Sequence, residues 1–281
     1  MHKKWIAVAA LVALVPAVAQ ADGEKHCGLL MASSLAMHFD DAGRPLVPTS
    51  IDGKDEAMLV DTGGAYSMVT GETAKALDLR IALIDPGMYY MGWNGQTLSQ
   101  TATAQSVAIG RIKFAHPRFL ILPTGFGNVE TAGTISPDIM HRFDVEFDFA
   151  GAKLNFFSQD HCDGKVVYWA NDYAVLPFRS DVQWAGDDVL LPSNSCDTSH
   201  IMVDATLDGQ AVKVLVDTGS STSWMTLDAA HRLFGLDAAA LERIGATKSV
   251  NQTLYAYPFK TLDLQGVSVH NPKIVLTADK L

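Results

Sequence analysis

Two aspartates stand in the same short context: Asp61 in Val60-Asp61-Thr62-Gly63 and Asp217 in Val216-Asp217-Thr218-Gly219. Each closes an apolar stretch, Met58-Leu59-Val60 in the first case and Val214-Leu215-Val216 in the second. A carboxylate at the end of a buried apolar strand is costly unless its charge is compensated. The glycine two residues on lets the backbone turn sharply and carry N–H groups onto the carboxylate. The intervening threonine hydroxyl can bond across to the other copy. If symmetry brings the two turns together, the carboxyls lie side by side. Like charges that close cannot both ionise, so one proton is shared and the two titrations separate. One aspartate can then act as base on a water while the other, protonated, donates to a carbonyl oxygen. That chemistry requires neither a metal nor a covalent intermediate.

The elements that must position these turns are themselves repeated. Ile51-Asp52-Gly53-Lys54 precedes the first turn and Leu207-Asp208-Gly209-Gln210 the second, so that Asp61 and Asp217 lie 156 residues apart in matching blocks. At the same spacing Gln96-Thr97-Leu98 matches Gln252-Thr253-Leu254 and Gly110 matches Gly266, while Pro117 matches Pro272 at one residue less. Colinear agreement of this extent predicts a duplicated lobe. Asp-Gly at 52–53 and 208–209 between extended stretches predicts tight hairpins. Val145 to Phe149 alternates strictly, and Gly151 turns it into Lys153–Phe157. Helices are expected to be short: Glu72 to Leu79, Leu227 to Leu236, and a turn or two over Asp138 to Phe143. The reading is an all-β fold with few short helices. Its boundaries are a targeting segment over 1–21, a first lobe over 22–160, a connector over 161–199 and a second lobe over 200–281. A β-sandwich carrying two binding domains is the alternative for such a run of short strands.

Val60-Asp61-Thr62-Gly63-Gly64-Ala65-Tyr66-Ser67 resembles the retropepsin-type active-site turn, and Leu215 to Trp224 is similar to the pepsin-type one. The resemblance is to the aspartic peptidases, and it covers roughly 35–157 and 200–277. It implies a two-lobed pepsin/retropepsin-like acid protease fold and an exported aspartic endopeptidase acting on an extended peptide held between the lobes. It also implies roles for particular residues. Asp61 and Asp217 would be the catalytic pair. Thr62 and Thr218 would grip across the lobes, and Gly63 and Gly219 would complete the turns. Ser220 would supply the small hydroxyl that bonds an active-site aspartate, a support that Gly64 cannot give in the first lobe. A substrate-covering flap is expected over Met88 to Gln100 with Trp93-Asn94-Gly95 at its tip, and Tyr89, Tyr90, Trp93 and Gly95 are its candidate residues. Strand packing is the other use for those aromatics. The matching hairpin of the second lobe, near Ala246 to Tyr255, has no aromatic tip and is given no role.

Two departures from the family pattern stand out. Gly133-Thr134-Ile135-Ser136 occupies the place of the apolar pair and glycine that thread beside the aspartate turn, with Ser136 where glycine is usual. By the 156-residue spacing, nothing before Leu281 corresponds to 126–157. The second lobe is therefore expected to be incomplete at its C-terminal end and Asp217 less firmly buttressed.

Other readings of the same features compete. A catalytically weak or inactive peptide-binding or inhibitory protein could use the same fold. Actin-like ATPases and kinases also duplicate a domain with a phosphate-binding Asp-x-Gly turn, but they need long crossover helices on a parallel sheet. A paired-carboxylate glycosidase would place its acid and nucleophile in unlike surroundings, whereas these two contexts are alike.

The composition narrows the classes further. The 281 residues carry 21 Lys and Arg against 31 Asp and Glu, a net charge of −10. No basic stripe suits nucleic acid. At the N-terminus, His2-Lys3-Lys4 is followed by a charge-free apolar run, Trp5 to Ala19, and by Ala19-Gln20-Ala21. That is the order of a secretory signal peptide, and the run falls short of the ~20 residues a spanning helix needs. Removal of 1–21 would leave no membrane anchor and a charge of −12. Export to a bacterial periplasm or medium is expected. In such a compartment Cys27, Cys162 and Cys196 suggest one disulfide, for which Cys162 with Cys196 is the candidate pair, although the sequence does not choose it. No cofactor or metal is expected. A peptide or protein substrate is the implied partner. A dimer is conceivable through a borrowed strand but is not predicted.

Overall fold

The computed structural model describes residues 29–86, 90–92, 96–122, 131–159, 167–179, 200–248 and 253–278. Within them the chain is built from short strands with a few short helices, in two lobes that repeat one plan.

In the first lobe the strands Pro45–Ile51 and Lys54–Val60 form an antiparallel hairpin, and in the second Met202–Leu207 and Gln210–Leu215 do the same. Both turn on Asp-Gly, with φ of 51° and 77° at Asp52 and Gly53 and of 46° and 81° at Asp208 and Gly209. Two consecutive positive φ values match the right-handed twist of the flanking strands, which explains the choice of residues. After each Asp-Thr-Gly turn a strand leads into a helix: Met68–Thr70 into Gly71–Ala76, and Ser223–Thr226 into Leu227–Phe234. Thr70 caps the first helix by accepting from the Thr73 N–H, and Thr226 caps the second by accepting from that of Ala229. Each cap satisfies one of the N–H groups that a helix start leaves without a partner.

The later hairpins correct the repeat by one residue. Ile109 pairs with Ile112 across Gly110-Arg111, and Leu264 with Val267 across Gln265-Gly266. Gly110 therefore corresponds to Gln265, and both have positive φ, 59° and 50°. The sequence match of Gly110 to Gly266 is coincidental.

Among the described residues, the difference between the lobes that lies beside the aspartate turns is one strand. In the first, Gly133–Ile135 lies parallel to Lys54–Val60 and antiparallel to Met68–Thr70, joining them into a ten-stranded sheet. Glycine is required at its start, because a side chain on Gly133 would overlap the Met68 backbone. Its last residue, Ile135, is fully buried in the main core with Val47, Met58, Val60, Phe119 and Phe156. Burial of such a side chain contributes about 1.5–3 kcal/mol. Among the described residues of the second lobe no strand joins Gln210–Leu215 to Ser223–Thr226. The first of these pairs with Met202–Leu207, the second with Ile274–Thr277. A smaller core of Leu207, Tyr255, Phe259 and Leu276 lies there.

A three-stranded sheet of Met31–Ala36, Lys153–Phe157 and Asp144–Asp148 completes the first lobe. The described part of the connector is shared between the lobes. Tyr168 packs edge-on against Phe157 and donates its hydroxyl to Glu146 at 2.7 Å, whereas Phe178–Arg179 adds a strand to the second lobe beside Met202 and Val203.

Candidate active site

Asp61 lies at the end of Lys54–Val60 and is held from both sides. Its backbone N–H donates to the Ile135 carbonyl at 2.9 Å. Its Oδ1 accepts from the N–H groups of Gly63 and Gly64 at 2.9 and 3.0 Å. The Asp217 carboxyl is held alike, with Oδ1 accepting from Gly219 and Ser220 N–H at 2.8 and 3.1 Å.

The threonines bind the two turns to each other. The Thr62 hydroxyl donates to the Val216 carbonyl at 2.7 Å and accepts from the Thr218 N–H at 3.0 Å. The Thr218 hydroxyl donates to the Val60 carbonyl at 2.6 Å and accepts from the Thr62 N–H at 3.1 Å. These four bonds relate the turns by an approximate twofold and set the two carboxyls beside one another, each against the other lobe's turn glycine.

Besides giving their N–H groups to the aspartates, as the sequence suggests, the glycines serve a second purpose. Neither Gly63 nor Gly219 has a positive φ. They are needed for space. A side chain on Gly63 would overlap the Asp217 carboxyl, and one on Gly219 would stand 2.6 Å from the Asp61 Oδ1. A Cβ on Gly64 would come 2.9 Å from both the Asp61 Oδ2 and the Ser136 hydroxyl, so the fully buried Ser136 fits the place where glycine is usual because it is small.

Surroundings divide the pair. Asp61 is 9% exposed, whereas Asp217 is exposed and follows Val216 at 39%. Burial, and next the neighbouring Asp217 charge, push the Asp61 carboxyl up to about 7 against the pull of the Gly64 and Gly63 N–H groups. Burial of an ionisable group and a like charge act in the same direction here. His200, half-buried, precedes Ile201, whose carbonyl accepts from the Val216 N–H at 2.9 Å. Burial lowers its basicity, and the Asp217 charge opposes that. The sequence offered no reason to separate His200 from the other scattered histidines.

Other expected residues fall elsewhere. The Ser220 hydroxyl does not reach an aspartate: it donates to the Thr222 carbonyl at 2.8 Å and accepts from the Trp224 indole at 3.2 Å. Its backbone N–H supports Asp217 instead. Tyr90 begins the short hairpin Tyr90–Met91 with Thr97–Leu98 and packs edge-to-face on Tyr66 at 5.2 Å, beside Leu98 and Leu120. Tyr89, Trp93, Gly95, Cys162 and Cys196 lie outside the described residues, as does the N-terminal segment.

With two like turns meeting carboxyl to carboxyl, comparison with known proteins becomes informative. The family described as Aspartyl protease matches residues 47–139 and 203–280, a span that contains both aspartates. The chain belongs to that family. Among solved structures the chain is similar to a retropepsin-like aspartic protease from Rickettsia conorii. That protein is 18% identical, and the alignment covers 47% of this chain and 96% of the other with a TM-score of 0.35. No curated protein matches. The family assignment and the twofold pair of turns account for the mostly β, two-lobed architecture.

Proposed function

We propose that this aspartyl protease is an endopeptidase that hydrolyses peptide bonds with a water activated between Asp61 and Asp217. The observation that carries the proposal is the pairing of one buried carboxyl with one exposed carboxyl on a floor of crosswise threonine bonds. The more buried Asp61 keeps the shared proton in the free enzyme. Asp217 takes a proton from the attacking water, whose oxygen bonds to the scissile carbonyl carbon. The Asp61 proton passes to the carbonyl oxygen, giving a gem-diol. Asp217 then gives its proton to the amide nitrogen, the C–N bond breaks, one gem-diol hydroxyl returns its proton to Asp61, and acid and amine products leave. General acid–base catalysis of this kind contributes typically 10²–10⁴-fold.

Asp61→Asn and Asp217→Asn are each expected to lower cleavage of a mixed peptide library by at least roughly 10³-fold while the far-UV spectrum stays unchanged, a unit whose members act together losing nearly everything with either one. A statine peptide, which mimics the gem-diol, should inhibit the wild type. Retention of cleavage by both variants ends this reading. Exposure of Leu215 and Val216, 38% and 39%, favours one other reading: a peptide-binding protein with little turnover. Statine binding without cleavage from pH 3 to 7 would select it. Export, with 1–21 removed, belongs to the same proposal, and sequencing the N-terminus of the secreted protein tests it.

A further inference from the structure

Asp138 is a buried carboxyl for which the hydrolytic mechanism has no use. It is 1% exposed at the start of the short helix Pro137–Met140. Its Oδ1 accepts from the Ser67 hydroxyl at 2.6 Å and from the Ile139 N–H at 2.9 Å. Its Oδ2 is buried without a hydrogen-bond partner, and no cation pairs with it among the described residues. Burying such a group is unfavourable, so it persists only where the structure uses it.

Its partner identifies the use. The Ser67 hydroxyl, having donated to Asp138, accepts from the Ser136 N–H at 2.9 Å. Ser136 follows Ile135, whose carbonyl holds the Asp61 N–H. The loop from Asp61 to Ser67 is therefore fastened to one segment at both ends, through Ile135 at its start and Ser136 at its close. That loop carries the Gly63 and Gly64 N–H donors that orient the Asp61 carboxyl. A serine hydroxyl can rotate, and only with its proton committed to Asp138 is its lone pair fixed toward Ser136. The second lobe provides an internal contrast. Ser223 is the repeat counterpart of Ser67, and there it is exposed.

We propose that Asp138 is a positioning residue: through Ser67 and Ser136 it holds the Asp61 loop in register with the buried strand, and so keeps the Asp61 carboxyl oriented and shielded from water. Burial raises the Asp138 carboxyl to about 7, against the pull of the Ser67 hydroxyl. The neutral acid is then the working form at acidic pH, and an asparagine reproduces its shape and its acceptor.

This inference rests on the endopeptidase reading, and its test has an arm that does not. The variants are Asp138→Ala, Asp138→Asn, Ser67→Ala and Ser67→Ala with Asp138→Ala, each measured for kcat, KM and the Asp61 titration by carboxyl ¹³C NMR. Asp138→Ala and Ser67→Ala should each lower kcat at pH 5 by about 10–100-fold with KM within about twofold, as a small misplacement of a reacting group does. The double variant should be no worse than either single one, because both break one path. Asp138→Asn should recover kcat to within about threefold. The Asp61 midpoint should fall in Asp138→Ala and Ser67→Ala, as water gains access, and stay in Asp138→Asn. A folded Asp138→Ala with unchanged kcat and an unchanged Asp61 midpoint overturns the inference, as does an Asp138→Asn no better than the alanine. If Asp138→Ala does not fold, Ser67→Ala decides by the same readouts. If the wild type cleaves nothing, the endopeptidase reading fails and the NMR arm still judges Asp138.

Discussion

The two lobes carry the same turn in unlike surroundings. Up to the aspartate they run in step: an Asp-Gly hairpin, an apolar strand, Asp-Thr-Gly, a second strand and a helix capped by threonine. Both carboxyls receive two backbone N–H bonds. Yet Val60 is fully buried and Val216 is 39% exposed. The strand Gly133–Ile135 makes the difference, because it covers the first turn and holds the Asp61 N–H. Local sequence sets the shape of the turn, and what packs behind it sets the acidity of the group it presents. An asymmetric pair, one carboxyl buried and raised in its titration and the other exposed, follows from an almost symmetric chain.

Apart from the asparagine variants above, the largest expected effect comes from filling the space between the carboxyls. Gly63→Ala places a methyl on Asp217 and Gly219→Ala places one beside Asp61. Each should reduce kcat by roughly 10²-fold, the scale of a 1 Å misplacement. If burial separates the two carboxyls, the Gly63 variant, whose methyl meets the more open one, keeps more activity than the Gly219 variant. The opposite ranking in paired kinetics would break the comparison.

A smaller effect separates the lobes by pH. Asp61 holds its proton to about pH 7 in the folded protein and only to about 3.8 in the unfolded chain. The folded state thus binds more protons across that window, and stability, fully present below about pH 4, is lost as pH rises through about 7. Asp61→Asn should flatten part of that fall in melting curves recorded from pH 4 to 7. An unchanged slope would show that Asp61 does not titrate as its burial requires.

Smallest is the helix-cap pair. Thr70→Ala and Thr226→Ala each remove one side-chain acceptor for a helix N–H, a loss of about 1 kcal/mol in denaturant unfolding. Near-equal losses would show that the repeat is energetic as well as geometric in these elements. A loss confined to one variant would limit the likeness to shape.

Much of this was legible in the residues because its cause is local. Asp-Gly reports a hairpin, and the doubled Asp-Thr-Gly reports two turns able to meet. What stayed hidden depends on distant packing. Gly63 looks like a turn residue, and only the opposing Asp217 shows that its need is room. The Ser220 hydroxyl is drawn to Trp224, four residues ahead, a competition that no spacing rule ranks. The one-residue slip behind Gly110 and Gly266 appears only in the strand pairing. Asp138 read as the start of a short helix, since its partner Ser67 lies 71 residues earlier in the chain. The contact of Tyr90 with Tyr66 joins residues that no spacing in the sequence relates.

The crosswise threonine bonds have a mechanical consequence. Each hydroxyl is satisfied by the other lobe, at the residues on either side of the aspartates. Any parting of the two lobes must turn about that seam as a door turns about its pin, spreading at the far edges while the acidic pair beside the pin stays together.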